Sequence, residues 1–237
     1  MKVVGMSVQL IDHCGSDLSV VNAARVSFAK ESEWDTQGDL YTGEIVGNSL
    51  KQQDVKLIKY LAEHRHKSPF NHAFMSFRVK APIFVSRQLV KHEYLPWNEV
   101  SRRYVTDEPE FYLPTVWRKA AENVKQGSSD EEVDVTTKGM DHYEDIPLDA
   151  TWVSLETYQR LLHLGVCPEQ ARMLLPQNMM TEWIWSGTLY AFAKMCVLRL
   201  DSHTQKETRQ VAEGIDKVAK VLYPTSWNYL VGEKHAN

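Results

Sequence analysis

Residues 87–104 concentrate polar chemistry, and they read Arg87-Gln88-Leu89-Val90-Lys91-His92-Glu93-Tyr94-Leu95-Pro96-Trp97-Asn98-Glu99-Val100-Ser101-Arg102-Arg103-Tyr104, directly after an apolar run at 81–86. On a helix Arg87 and Lys91 would share a face because they stand at i and i+4. On an extended segment Ser101 and Arg103 would point the same way, and a hydroxyl beside a guanidinium suits a phosphate. The residues alone leave two interpretations open, a polar pocket wall and a solvated helix end followed by a charged loop.

The composition is that of an ordinary globular chain. It has 237 residues, of which 43% are hydrophobic and 24% charged. No Pro/Gly/Ser-rich linker divides the chain, so we expect one domain over 1–237. The formal net charge of −4 argues against a nucleic-acid-binding module. Few cysteines, no signal-peptide pattern and no long apolar run are typical of a soluble cytoplasmic protein without disulfides.

Hydrophobic periodicity predicts an α+β, helix-rich fold. Residues 1–14 and 73–80 alternate between apolar and polar side chains, which is typical of strands. Segments with one apolar face predict helices, and these lie at 18–28, 52–64, 83–92, 151–164 and 168–175, with a last helix ending before Pro224. The remaining segments are expected to be a loop at 30–50, an extended crossing at 97–105, a solvated or mobile acidic excursion at 117–148 and a polar tail at 231–237.

Residues 181–200 are expected to form a central helix, because they are apolar almost all round. Glu182, Lys194 and Arg199 interrupt the apolar residues, which argues against a membrane span. An arginine at the end of a buried helix is costly unless it is paired or faces a ligand. Arg199 and the other arginines therefore point to an anion site.

Several separated segments resemble one family. Lys91-His92-Glu93 is followed by seven residues, including Asn98-Glu99, and then by Ser101-Arg102-Arg103-Tyr104. This pattern resembles the signature of the flavin-dependent thymidylate synthases, in which Arg-His-Arg is followed by seven residues and a serine. Further resemblances lie, in the family's order, at 23–27, 66–72, 169–176 and 199–205. The departure is that Lys91 and Glu93 replace the two flanking arginines.

The resemblance implies a fold, an assembly and a reaction. The fold is a helix-rich α+β domain with a small antiparallel sheet, assembled as a homotetramer with sites at subunit interfaces. The reaction is reductive methylation of dUMP to dTMP, with methylenetetrahydrofolate as carbon donor and FAD, reduced by NADPH, as hydride source. Two alternatives stay open. One is flavin-dependent hydroxymethyl transfer to dUMP or another pyrimidine nucleotide, and the other is a flavin- or nucleotide-binding protein without turnover.

The resemblance also implies roles for individual residues. Arg199 is the expected catalytic residue, because a cation beside the uracil would stabilise negative charge on the ring. The residues expected to bind dUMP are Gln88, Lys91, Glu99, Ser101, Arg102, Arg103, Arg172 and Arg199. The residues expected to bind FAD are Ser27, His66, Ser68, Lys91, His92, Glu93, Glu99, Thr188, Tyr190, Lys194 and His203.

Lys91 and Glu93, which depart from the signature, lead to a further expectation about the flavin. A carboxylate at position 93 would repel a flavin phosphate. We therefore expect Glu93 to turn toward Lys91, Arg102 or another subunit, while Lys194 offers a cation to the cofactor.

Structural interpretations compete with some of these roles. The histidine-rich run 64–72 can be a helix end stopped by a proline, and its neighbouring basic residues argue against a metal site. Arg172 can be a surface ion-pair residue, although the apolar residues 173–175 favour a pocket edge. Ser202 and Gln205 can form a capping box for the last helix.

The cysteines do not indicate a nucleophile. Cys167 and Cys196 lie in apolar helical segments without an adjacent histidine base. We therefore expect both to be packing residues.

Overall fold

The structure, a computed structural model, describes residues 1–38, 45–122, 128–138 and 143–232. Its strands are β1 (Lys2–Val3), β2 (Ser7–Cys14), β3 (Asp35–Gly38), β4 (Ile45–Ser49), β5 (Phe74–Pro82), β6 (Trp97–Glu99), β7 (Glu110–Phe111), β8 (Arg118–Ala120), β9 (Ser128–Glu132), β10 (Thr136–Lys138), β11 (Tyr143–Asp145) and β12 (Met180–Thr188). Its helices are α1 (Asp17–Arg25), α2 (Gln52–Glu63), α3 (Ile83–Leu89), α4 (Ile146–His163), α5 (Pro168–Ala171), α6 (Leu189–Arg199), α7 (Lys206–Leu222) and α8 (Pro224–Leu230). Short 3-10 turns lie at Val26–Phe28, Ser68–His72 and Arg172–Leu174.

A four-stranded antiparallel sheet lies at the centre, in the order β2-β5-β12-β6. The alternation predicted for β5 is confirmed, since Met75, Phe77 and Val79 are fully buried while the residues between them are not. The apolar faces of α1, α2, α6, α7 and α8 contribute to the same core. The predicted α+β, helix-rich fold with a small antiparallel sheet is therefore confirmed.

The predicted central helix at 181–200 is wrong in its first half, which is strand β12. Its burial alternates along the strand, with Trp183 and Trp185 buried and Ile184 between them half-buried. Tryptophan and isoleucine pack well on a pleated sheet. The outer face of this strand also carries an apolar residue, Ile184, so the sequence does not show the alternation of apolar and polar residues that is typical of a strand. The helix begins only at Leu189, after Thr188, whose hydroxyl accepts a hydrogen bond from the backbone N–H of Ala191 at 3.2 Å.

The segments predicted as loops or excursions contain short antiparallel hairpins. β3 pairs with β4 within 30–50, and β8–β9 and β10–β11 pair within 117–148. These pairs form two-stranded sheets outside the central one. None of their residues whose burial is described belongs to the apolar core, and no apolar alternation marks these segments in the sequence.

The boundaries of α3 and α4 are among those that differ from the predictions. α3 ends at Leu89 rather than at 92, and the chain then turns through Tyr94, whose φ of 62° is left-handed. α4 begins earlier than 151, because the carboxylate of Asp145 caps it by accepting a hydrogen bond from the N–H of Leu148 at 3.1 Å. Trp152 on this helix is 53% exposed.

A second, smaller apolar cluster joins α4 and α5 to the start of β12, and its members are Phe111, Leu155, Tyr158, Ala171, Leu175 and Met179. The sequence did not predict α8, which begins at Pro224 and buries Trp227.

Part of the predicted polar tail, 233–237, lies outside the described residues. Within the described part of the chain, no helix combines the length and apolar character that a membrane crossing requires.

Candidate active site

Arg199, in the last turn of α6, is held by two groups of the signature segment. Its Nε donates to Nε2 of His92 at 3.0 Å. Its Nη2 donates to the backbone carbonyl oxygen of Gln88 at 3.2 Å. Both Arg199 and His92 are half-buried. Arg199 therefore has hydrogen-bond partners at the helix end, and the two contacts fix the direction of its guanidinium.

The contact with Arg199 requires a neutral imidazole, because only an unprotonated Nε2 can accept a hydrogen bond. Burial, followed by the charges of Arg199 and Lys194, lowers the pKa of His92 from 6.5 to about 4. Burial also lowers the pKa of Arg199, but a guanidinium stays charged at neutral pH. The result is a fixed cation beside an uncharged imidazole whose proton is on Nδ1.

Glu93 pairs with Lys194, whose Nζ lies 3.4 Å from its Oε2. Within this chain the partner is therefore Lys194 on α6 rather than Lys91 or Arg102, because the end of α3 at Leu89 turns residue 93 toward α6. The two side chains are 70% and 64% exposed, so the pair contributes about 0–1 kcal/mol and opens easily for a ligand. Lys91 is exposed beside it.

The side chain of Gln88 connects α3 to the start of α7. Its Nε2 donates to Oε1 of Gln205, and its Oε1 accepts a hydrogen bond from the hydroxyl of Thr208 at 3.2 Å. Gln205 precedes α7 without a side-chain capping bond, and Ser202 contacts His203 instead. The predicted capping box is therefore absent, because Gln205 is held by Gln88.

Glu99 lies at the end of β6, opposite Trp183 of β12. Its carboxylate accepts hydrogen bonds from the hydroxyl of Thr181 at 2.6 Å and from the indole N–H of Trp97 at 3.0 Å. Both partners fix its direction at the edge of the central sheet.

The loop that carries the signature from α3 to β6 lies directly against β12. A Cβ at Gly187 would be 3.2 Å from the carbonyl oxygen of Tyr94 and would clash with the side chain of Leu95. Only a glycine permits this close approach. The backbone N–H of Ser186 also donates to the carbonyl of Pro96 at 3.2 Å, which fastens the loop to the sheet.

Arg103 and Arg172 meet at Glu169. Nε of Arg103 donates to the Glu169 carboxylate at 3.0 Å, and Nε of Arg172 lies 3.4 Å from the carbonyl oxygen of the same residue. The hydroxyl of Ser101 accepts a hydrogen bond from the N–H of Arg103 at 3.3 Å. The structure thus brings together Ser101, Arg103 and Arg172, all predicted to bind dUMP. Arg102 instead donates to the carbonyl of Asp107 at 2.5 Å.

The surroundings of Arg172 differ from the prediction of a pocket edge with buried neighbours. Met173 is 74% and Leu174 is 42% exposed. The reason is that α5 is one turn long and a 3-10 turn follows it, so that only Ala171 and Leu175 face the core. Arg172 therefore stands on an exposed, partly apolar surface.

Ser27, His66 and Ser68, all predicted to bind FAD, line one cavity of about 870 Å³ between α1, α2 and the turn at Ser68–His72. Lys56 and Lys67 line it too. The size suits a small-molecule site, and the ammonium groups suit an anionic ligand.

The rings of Tyr60 and His66 form part of the wall of this cavity. The ring of Tyr60 stacks on His64 at 4.1 Å and on His66 at 5.8 Å between centroids. A planar ring system next to a phosphate would match this wall and the lysines, so the residues fit a flavin nucleotide. In the described ranges, no group of three histidine, cysteine or acidic side chains is arranged to hold a metal ion.

Thr188 and Tyr190 lie at the start of α6, beside the same histidine-rich segment. The hydroxyl of Thr188 donates to the side-chain oxygen of Asn71 at 2.8 Å. Nζ of Lys67 lies 5.9 Å from the centroid of the Tyr190 ring. His203 lies instead in the turn after α6, where its Nδ1 is 3.0 Å from a carboxylate oxygen of Asp201.

Comparison with known proteins decides the family. The family profile described as "Thymidylate synthase complementing protein" matches residues 9–225. A flavin-dependent thymidylate synthase from Thermus thermophilus is 36% identical over 224 residues, which cover 93% of this chain and 73% of that protein. The chain belongs to the flavin-dependent thymidylate synthase family. A second flavin-dependent thymidylate synthase, from Kosmotoga olearia, is 36% identical over 221 residues, covering 93% of this chain and 87% of that protein.

A solved structure has the same fold as this member of the flavin-dependent thymidylate synthase family. The UMP/dUMP methylase PolB from Streptomyces cacaoi, bound with 5-Br dUMP, superimposes with a TM-score of 0.74 at 29% sequence identity. The match covers 97% of this chain and 96% of the other. The predicted family and fold are therefore confirmed.

Sequence patterns did not single out several residues of the candidate site. Tyr60 is the clearest, because it lies four positions before His64, the C-cap residue of α2, and therefore shares its face. Glu169 appeared only as part of a motif, and its contact with Arg103 spans 66 positions. Thr208 lies even further along the chain from Gln88, and no local pattern connects them.

Proposed function

We propose that this chain methylates the uracil ring of dUMP to give dTMP, as a flavin-dependent thymidylate synthase. Family membership supports the proposal, and the observation that carries it is the guanidinium of Arg199, fixed by neutral His92 and the carbonyl of Gln88. The carbon donor in this proposal is methylenetetrahydrofolate, and the hydride comes from FAD reduced by NADPH. Residues 1–237 would act as one such domain in the cytoplasm.

Arg199 would activate the pyrimidine. The C5 carbon of uracil is a poor nucleophile until negative charge spreads over the ring. A guanidinium near a ring carbonyl and N3 stabilises that charge, and a half-buried position strengthens the effect by excluding water. The contacts with His92 and Gln88 leave further N–H donors of Arg199 for the ring. His92 thus acts as a positioning residue.

The structure argues against Cys196 as a nucleophile. Cys196 is fully buried, and this burial raises the pKa of its thiol well above the usual value. The predicted packing role is confirmed for Cys196, whose Sγ lies 3.7 Å from the carbonyl of Ala212. It is wrong for Cys167, which is exposed because it precedes the one-turn helix α5 on the surface.

The dUMP phosphate would bind where Arg103 and Arg172 meet. Each bond from a charged donor contributes roughly 1.5–3 kcal/mol. Glu169 holds Arg103 at 3.0 Å in the free protein, and the phosphate would take its place. Glu99, fixed by Thr181 and Trp97, would accept a hydroxyl of the sugar.

The flavin nucleotide would lie in the cavity lined by Ser27, His66 and Ser68. When bound, the flavin supplies the hydride that completes the methyl group. Lys67 would meet a phosphate, and the Tyr60–His66 stack would pack on a ring of the nucleotide. Lys194 would add a cation at the other end, after its exposed pair with Glu93 opens.

We also propose the homotetramer with sites between subunits. Most of the predicted ligand residues fall into three clusters within one chain, around Arg199, around Glu169 and around the cavity at Ser27. Large apolar side chains are exposed beside two of them, since Phe28 and Tyr104 are each 75% exposed. Exposed apolar residues next to ligand residues are typical of an interface. Light scattering of the purified protein should give the mass of a tetramer. The Phe28→Asp variant should give a smaller mass, because it places a charge in the proposed interface.

A second candidate substrate is UMP, because the structural relative from Streptomyces cacaoi is a UMP/dUMP methylase. Turnover of UMP and dUMP, measured side by side, decides between them. Hydroxymethyl transfer is distinguished in the same assay, since its product differs in mass from dTMP.

The proposal is tested first by the absorbance spectrum of the purified protein with added FAD. We expect a bound flavin that NADPH reduces, and dUMP-dependent loss of the folate donor. A protein that binds FAD but never consumes dUMP would instead be a binding protein without turnover.

A further inference from the structure

Thr208, in the first turn of α7, is a fully buried polar residue. A buried hydroxyl destabilises the fold unless it is hydrogen-bonded, and this hydroxyl donates to Oε1 of Gln88 at 3.2 Å. We propose that Thr208 is a positioning residue for the guanidinium of Arg199, and that it acts through Gln88 at the end of α3. Its effect on turnover rests on the proposed function, whereas its effect on the geometry around Arg199 does not.

The end of α3 supplies the carbonyl that directs Arg199. α3 is seven residues long, and Gln88 lies in its last turn. Carbonyl groups in the last turn of a helix have no partner within the helix, and the carbonyl of Gln88 accepts a hydrogen bond from Nη2 of Arg199 at 3.2 Å. A helix of this length has little stability of its own, so the position of this carbonyl depends on what holds the end of α3.

The start of α7 holds both ends of the Gln88 side-chain amide. Oε1 accepts the hydrogen bond from Thr208, and Nε2 donates to Oε1 of Gln205, the residue that precedes α7. The amide oxygen can only accept and the amide nitrogen can only donate, so the two bonds fix which way the amide faces. The hydroxyl of Thr208 is the donor that satisfies the oxygen.

α7 also supports the helix that carries Arg199. α6 and α3 both pack against α7, and Sγ of Cys196 on α6 lies 3.7 Å from the carbonyl oxygen of Ala212 on α7. The guanidinium and the carbonyl that directs it therefore share one support. Thr208 joins α3 to that support inside the protein, where a hydrogen bond is stronger than in water.

Thr208→Val tests the hydroxyl itself, because valine has nearly the same shape as threonine and no donor. The variant leaves Oε1 of Gln88 without its partner on α7, and we expect the end of α3 and its carbonyl to shift away from Arg199. The guanidinium then loses part of its alignment with His92. Thr208→Ser keeps the hydroxyl and should preserve the geometry.

The first measurement is steady-state formation of dTMP by the full chain with FAD, NADPH and methylenetetrahydrofolate. We expect Thr208→Val to lower kcat at least about threefold, while the KM for dUMP changes less than about twofold. Thr208→Ser should keep kcat near that of the unaltered protein. Thr157→Val is the matched control, because the hydroxyl of Thr157 bonds within α4, to the carbonyl of Val153 at 2.7 Å, and kcat should not change.

The second measurement is the pKa of His92, followed by NMR of its ring protons, which needs no turnover. Burial and then the charge of Arg199 lower this pKa to about 4. A displaced Arg199 repels the imidazolium less, so the pKa of His92 should rise toward 6.5 in Thr208→Val and stay near 4 in Thr208→Ser. A general loss of stability would not produce this difference between two folded variants.

Circular dichroism confirms that each variant is folded, and Thr208→Ala replaces Thr208→Val if the valine variant does not fold. An unchanged pKa of His92 or an unchanged kcat in the variant without the hydroxyl would overturn the proposal, and so would a Thr208→Ser protein that changes as much. If the unaltered chain forms no dTMP, the proposed function fails, and the pKa of His92 alone tests the role of Thr208.

Discussion

Nε2 of His92 accepts a hydrogen bond from Nε of Arg199 at 3.0 Å, so protonation of that nitrogen would replace an attraction with the repulsion of two cations. The imidazole is half-buried, and its low pKa prevents this protonation near neutral pH. The integrity of the Arg199 site is therefore linked to pH.

The first prediction concerns stability below neutral pH. The pKa of His92 is about 4 in the folded protein against a normal 6.5, so the unfolded chain binds the proton more readily. The contribution of His92 to the free energy of unfolding should therefore be present above pH 6.5 and fall as the pH drops toward 4. Urea unfolding at a series of pH values measures this slope.

His92→Gln supplies the control, because an amide oxygen still accepts from Arg199 but does not titrate. The slope between these pH values should be shallower in the variant. An identical slope in both proteins would mean that His92 protonates freely while folded.

The second prediction concerns the pair Glu93–Lys194. A carboxylate about 4 Å from a phosphate costs about 4 kcal/mol at an effective dielectric near 20, whereas opening the exposed pair costs at most about 1 kcal/mol. Glu93→Arg should therefore tighten FAD binding, and Lys194→Ala should loosen it, as measured by fluorescence titration. Lys217→Ala, an exposed lysine on α7, is the matched control. Weaker FAD binding by a well-folded Glu93→Arg protein would give the carboxylate a role of its own.

The third prediction concerns the phosphate cluster. Arg103→Ala removes a charged donor worth roughly 1.5–3 kcal/mol, which corresponds to a rise in the dUMP dissociation constant of about tenfold to about 150-fold. Ser101→Ala should raise it by less. Arg160→Ala, an exposed arginine on α4, should leave it unchanged. Unaltered dUMP binding by Arg103→Ala would place the phosphate elsewhere.

The fourth prediction concerns the thiols. A protein carrying both Cys167→Ser and Cys196→Ser should retain most of its turnover, because the buried thiol of Cys196 stays protonated. Cys196→Ala serves if the buried hydroxyl unfolds the double variant. Loss of turnover by a protein with a native circular dichroism spectrum would restore the hypothesis of a cysteine nucleophile.

Sequence patterns predicted the elements whose burial is one-sided. The alternation around Phe77 and the apolar face of α7 are examples, since each has one buried and one exposed side. They failed for β12, where Ile184 on the outer face is also partly buried. They failed again for the polar hairpins, whose pairing leaves no apolar trace. A strand that is buried on both faces, or on neither, does not show the alternation of apolar and polar residues by which a sequence reveals a strand.

The candidate site was predicted as a set of residues but not as a geometry. The signature identified His92 and Arg199 separately, yet their contact spans 107 positions. The partner of Glu93 was unexpected for the same reason, because Lys194 lies 101 positions away on α6. Contacts of this kind follow from the packing of α6 against the signature loop, which no local pattern encodes.

The central claim is that Arg199 serves the conversion of dUMP to dTMP, and the most direct measurement is the mass of the nucleotide formed from dUMP. The protein is incubated with methylenetetrahydrofolate, FAD and NADPH, and the products are separated and weighed by mass spectrometry. We predict dTMP from the unaltered protein, and a loss of about 10²–10³-fold in turnover for Arg199→Ala with an unchanged circular dichroism spectrum. A hydroxymethylated product, no product, or near-normal turnover by Arg199→Ala would contradict the claim.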